Sequence, residues 1–159
     1  MTEAIADKKA MLAGLHEALW TALGSHDYRL IRLENLAEAA GISPQQAVLV
    51  AGFVDRVLLS AIEAIDEAVL IQSATDFGED ESASVHEKLL EGLTQRFEAY
   101  NDKRPALRTI ARACPDHPAL AMMLSANLYH YVDRLLYICL LYTSPSPRDR
   151  SLSRMPSSA

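Results

Sequence analysis

Apolar residues return at three- and four-residue steps along most of the chain, the spacing of one helix face, and nowhere alternate long enough to predict a strand. From Ala4 to Leu23 they fall at Met11, Leu12, Leu15, Leu19 and Leu23, and Gly24-Ser25 supplies a stop. Leu33, Leu36, Ala37 and Ala40 repeat the spacing over a short second helix that Gly41 ends. Ser43-Pro44 then gives a third helix an N-cap residue followed by proline at the first helical position. Phe53, Val57, Leu58, Ile62, Ile65 and Val69 predict a longer fourth helix, ending before the polar, acidic stretch Ser73 to Ser84, which reads as the main internal loop. The fifth helix is predicted from Ser84 to about Asn101, with Val85, Leu89, Leu93, Phe97 and Tyr100 inward and Glu87 to Glu91 and Arg96 toward water. Arg104-Pro105 opens a short sixth helix, Cys114 to Pro118 is a turn, and Leu120 to Leu135 mark a last apolar helix. The expected class is all-α.

Composition sharpens this picture in two respects. At 159 residues, 50% hydrophobic and 23% charged, the chain fits one ordinary globular domain rather than a disordered one. Its formal net charge of −6 excludes a global positive field, so contact with nucleic acid has to come from a local patch. Cys114 and Cys139 are too few for a disulfide framework and lack the paired spacing of a zinc site. The N-terminus has no apolar core with a cleavage site, and the apolar runs are too short or too charged to cross a bilayer. The expectation is a soluble, cytoplasmic protein without a membrane span.

The chain changes character at its end, where CLLYTSPSPRDRSLSRMPSSA, residues 139–159, replaces helix formers with Ser, Pro and Arg. Its opening, CLLYTSPSPRD, resembles the in-frame translation of a sequencing-library adapter. Residues 139–159 are therefore expected to be a non-native tail on a gene cut near Ile138.

Catalytic chemistry has no candidate. His16-Glu17 and His86-Glu87 begin like a zinc-protease motif, but Trp20 and Leu90 stand where the second histidine belongs. His26, His117 and His130 have no carboxylate or cysteine at ligand spacing, and no phosphate loop or nucleophile elbow occurs. No enzyme activity, metal or cofactor is expected.

Ile31 to Ala51, IRLENLAEAAGISPQQAVLVA, places a short helix, an Ala-Ala-Gly turn and a capped helix at helix-turn-helix spacing, with Ala37, Ala39 and Ala40 allowing a close crossing. The long helix before it, LAEAAGISP at Leu36 to Pro44, and the run into a longer fourth helix resemble the N-terminal domain of TetR-family regulators. RFEAYNDKRPALRTIAR, Arg96 to Arg112, is also similar to a TetR-like group. The resemblance implies a helix-turn-helix domain over residues 1–52 and an incomplete ligand-binding and dimerisation domain over residues 53–138. It further implies a ligand-responsive repressor that binds double-stranded operator DNA as a homodimer in its full-length form.

Where the family carries two aromatic residues and a lysine in and after the recognition helix, this chain has Val48, Ala51 and Val54, and residues 41–52 contain no Lys or Arg. The remaining candidates for DNA are Ser43, Gln45 and Gln46 on the helix and Arg29 and Arg32 beside it, with Lys8 and Lys9 as a basic arm. The glutamines also fit plain solvated positions, and Val48, Leu49 and Val50 fit a packed structural helix. A small apolar effector would be lined by Phe97, Met122, Met123 and Tyr129, with Leu124 and Tyr131. The degenerate motif is similar as well to the TetR-like accessory proteins of ubiquinone biosynthesis, which bind lipids and not DNA.

Overall fold

The computed structural model describes residues 1–80 and 82–143. Among them are seven α-helices and no strand: α1 (Thr2–Ser25), α2 (Leu33–Ala39), α3 (Pro44–Ala51), α4 (Val54–Glu79), α5 (Val85–Ala99), α6 (Arg104–Ala113) and α7 (Pro118–Leu141). Short 3-10 turns at Tyr28–Leu30, Asn101–Lys103 and Cys114–Asp116 join them. The all-α expectation holds.

Two apolar cores lie along α4. The larger gathers Leu15, Leu19 and Leu23 of α1, Leu36 and Ala37 of α2, Ala47 of α3, Val57 and Leu58 of α4 and Ile110 of α6. The smaller joins Val69, Leu70 and Phe77 of α4 to Tyr131, Leu135 and Cys139 of α7, with Leu89 and Leu93 of α5 packed on it. Each fully buried Leu or Val contributes about 1.5–3 kcal/mol. Ile65 of α4 packs against both cores, and α7 also enters both, with Leu120 in the larger and Tyr131, Leu135 and Cys139 in the smaller.

Two expectations need correction. α4 does not stop before Ser73 but continues to Glu79, through most of the predicted loop. Ser73 and Phe77 extend its buried face at four-residue steps; the Ser73 hydroxyl donates to Gln95 Oε1 (2.6 Å), and Gln95 Nε2 donates to Asp76 (2.9 Å). Partners on α5 therefore satisfy groups that looked solvated. The α5 faces are also rotated from the predicted ones: Phe97 is 75% exposed, whereas Lys88 and Gly92 are buried and Arg96 is half-buried. Gly92 lets α7 approach, since a Cβ there would stand 3.2 Å from Leu135 Cγ and closer still to its methyls.

No helix break marks the expected boundary after Ile138. α7 runs to Leu141, Cys139 is buried, and the Tyr142 carbonyl accepts a hydrogen bond from Lys88 Nζ (2.6 Å). Residues 144–159, most of the expected tail, lie outside the described residues. None of the described helices is long and apolar enough to cross a membrane.

Candidate nucleic-acid interface

The turn between α2 and α3 is built by its local sequence. Gly41 takes a φ of +70°, the left-handed region where a side chain is strained, and Ile42 N–H returns to the Ala37 carbonyl (3.0 Å). Ser43 Oγ accepts from Gln46 N–H (3.1 Å) while Gln46 Oε1 accepts from Ser43 N–H (2.9 Å), a reciprocal capping box with Pro44 at the first helical position. Ala47 and Ala51 turn inward, and Gly52, at φ +81°, closes α3. Of the three alanines expected at the α2–α3 crossing, Ala37 is buried and Ala40 half-buried with Gly14 of α1 close by, whereas Ala39 faces water.

α3 thus presents Gln45, Val48 and Leu49 on one exposed face, at i, i+3 and i+4. Val48 is 56% and Leu49 83% exposed, so neither belongs to a packed core; Val50 alone of that run packs inward. Ser43 and Gln46 are exposed too, but their polar atoms serve the cap. Gln45 makes no side-chain hydrogen bond among the described residues, which leaves its amide free to read an outside group.

The two expected arginines flank this helix unequally. Arg32 is the exposed N-cap of α2 and borders a cleft of about 630 Å³ between α1 and α2. Arg29 is already engaged by carboxylates, 3.3 Å from Asp27 and 4.0 Å from Asp116, and shares a smaller cleft with Thr109 and Arg112 of α6. Its guanidinium holds the Asp27 carboxyl below the usual carboxylate range. Arg56 was missed: it is exposed in the first turn of α4, with its Cδ near Gly52 at the end of α3. Arg56 lies two residues beyond Val54, the position where the resemblance leads to the expectation of a lysine.

Tyr28 fixes the chain between α1 and α2 to both halves of the molecule. Its hydroxyl donates to the Asp55 carboxylate in α4, and its ring meets His117, before α7, edge-on at 6.1 Å. Burial, then that hydrogen bond, push the Tyr28 hydroxyl far above its ordinary pKa, so it stays a donor.

The expected effector lining does not converge. Met122 and Tyr129 are 73% and 75% exposed on α7, Phe97 is exposed on α5, and Met123 and Leu124 pack against the larger core. Tyr131 is buried, but its hydroxyl donates to the Gly92 carbonyl (3.1 Å). A cleft of about 500 Å³ lies elsewhere, between α1, α4 and α5, with Ala61, Ala64 and Ala68 on α4 facing Trp20 and Gln95 on its walls.

No family model matches the chain. No curated protein matches it by sequence. Among solved structures, a crystal structure of a protein assigned to the TetR family of transcriptional regulators, from Rhodococcus sp., superposes with a TM-score of 0.58. The match covers 94% of this chain and 76% of that one at 18% identity. The chain therefore has a TetR-like, all-helical fold, which the order of α1 to α4 around the capped turn had suggested.

Proposed function

We propose that the chain is a transcriptional regulator that lays α3 in the major groove of operator DNA and works as one half of a two-fold dimer. The observation that carries this reading is the capped α2–turn–α3 unit, standing on a fold shared with a protein assigned to that class. Gln45 is the base-reading candidate, while Arg32 and Arg56 are the exposed cations beside the helix that would take phosphates. The apolar outer edge of α7, with Leu136, Tyr137 and Leu140 exposed, is the surface assigned to the second copy. The α1/α4/α5 cleft replaces the Phe97, Met122, Met123 and Tyr129 lining as the effector site. It touches both α1, which carries the helix-turn-helix, and α5, so a small apolar ligand there would bias their relative position.

A second reading is favoured by one observation. Residues 41–52 lack any Lys or Arg while Val48 and Leu49 stand exposed, as expected of a lipid-handling relative without DNA binding. Binding of the chain to its own upstream DNA across a salt series, beside a Gln45→Ala variant, decides between them. Specific binding that weakens with salt and is lost in the variant supports the regulator. Absence of binding above random DNA at low salt overturns it and leaves the lipid reading.

A further inference from the structure

The exposed face of α3 is unusual in having one free amide beside two large apolar side chains and no cation. Gln45, Val48 and Leu49 share that face, the Gln46 amide is tied into the cap, and Phe53, 55% exposed, follows just past Gly52. The helix is eight residues, roughly 12 Å long, and the major groove is about 12 Å wide, so its whole outer face can meet base edges. In that groove the side chains select among base pairs by chemistry. An amide carboxamide matches adenine, which offers the N7 acceptor and the N6 donor together, and aliphatic groups match the thymine 5-methyl. Guanine, with two acceptors, is best met by Arg or Lys, and residues 41–52 contain neither.

The geometry points to a half-site read through A·T pairs, with Gln45 bonding adenine N6 and N7 and Val48 and Leu49 covering thymine methyls on neighbouring pairs. This inference rests on the regulator reading and specifies what its recognition helix selects. It also gives the exposed Val48 and Leu49 a role that a solvated surface does not.

The test uses the full chain and a random-duplex library, from which bound sequences are enriched and then chemically edited. Replacing thymine by deoxyuridine removes only the methyl, and replacing adenine by 7-deazaadenine removes only the N7 acceptor. The expected result is an enriched site rich in A·T pairs whose affinity falls about three- to fourfold for each contacted thymine made uridine, the effect of one buried methyl. In Val48→Ala and Leu49→Ala, exposed positions where alanine keeps the helix, that sensitivity should disappear. The 7-deazaadenine effect should disappear only in Gln45→Ala. An enriched site that is indifferent to uridine, or built on G·C contacts, overturns this inference and leaves the regulator reading standing. Failure to enrich any sequence above random DNA overturns both.

Discussion

Arg96 of α5 grips Asp66 of α4 with two hydrogen bonds, Nε to Oδ1 at 2.9 Å and Nη2 to Oδ2 at 3.2 Å. Asp66 is buried and Arg96 half-buried, and the guanidinium also lies 4.8 Å from the Tyr131 ring of α7 and 5.2 Å from that of Tyr100. The Tyr100 hydroxyl, at the end of α5, adds a third hydrogen bond to Asp66 (3.0 Å), so the carboxylate ties α4 to α5 while the Arg96 guanidinium carries the contact on to Tyr131 of α7. Burial, with the Asp66 charge as a further cause, pushes the Tyr131 hydroxyl up to about 12. Arg96→Ala strands that carboxylate without its cation, and urea denaturation should record a loss of about 3–5 kcal/mol. The double variant Arg96→Met, Asp66→Leu should recover most of it, because two apolar groups of similar volume need no partner.

Gly92 sits where α5 and α7 touch, and its replacement by alanine drives a Cβ into the buried Leu135 side chain. Overpacking of this kind costs about 1–3 kcal/mol. Thermal melts of Gly92→Ala should show that loss, and adding Leu135→Ala should leave the double variant less destabilised than the two single losses summed.

The two glutamines of α3 should separate cleanly. Gln46→Ala breaks the capping box and should lower stability by about 0.5–1 kcal/mol, as Ser43→Ala should by about 1 kcal/mol. Gln45→Ala, at an exposed and unbonded position, should leave the melting temperature unchanged. A binding defect in Gln46→Ala is thus open to a folding explanation, and one in Gln45→Ala is not.

His16 gives a pH dependence with a definite sign. Burial holds its pKa below the ordinary histidine value of about 6.5, outweighing the upward pull of Glu17, and its Nε2 shares a 2.8 Å hydrogen bond with Ser60 Oγ. The unfolded chain takes up a proton there at a pH where the folded chain does not. Stability contributed by neutral His16 is therefore complete above about pH 6.5, falls as the pH drops below it, and levels off beneath the folded value. Denaturation midpoints between about pH 5 and 8 should show this slope, and His16→Gln should remove it. An unaltered slope in the variant would discount His16 as its source.

A chain stopped at Ile138 loses the buried Cys139 side chain and the Tyr142 carbonyl that receives Lys88. Compared with a chain ending at Thr143, it should be less stable by at least about 1.5–3 kcal/mol, the worth of a hydrogen bond to a charged group. Lys88→Met should restore part of that loss in the shorter chain and none in the longer one.

The first three helices were legible because their signals are local. The Gly41 stop, the Ser43-Pro44 cap and the spacing of Leu15, Leu19 and Leu23 act within a few residues of themselves, and α1 ends at Ser25, one residue past Gly24. The rest failed where partners are distant in sequence. Lys88 and Arg96 read as solvated until their acceptors, 54 and 30 residues away, come into place. Ser73 and Asp76 read as loop until Gln95 meets them. In the candidate interface, Ser43, Gln45 and Gln46 were found from the cap and turn. That Gln46 serves the backbone, that Val48 and Leu49 face outward, and that Arg56 stands beside the helix all depend on tertiary placement.

α4 spans 26 residues, roughly 39 Å, with one end beside Gly52 and the other beyond Phe77. Both cores clasp this one helix, and Ile65, which packs against each, lies near its middle as the natural pivot. A tilt of about 5° about Ile65, roughly 16 Å from the end beside Gly52, carries that end by about 1.4 Å, so any rearrangement of α5 and α7 that tilts α4 by a few degrees moves the helix end next to α3 by about an ångström.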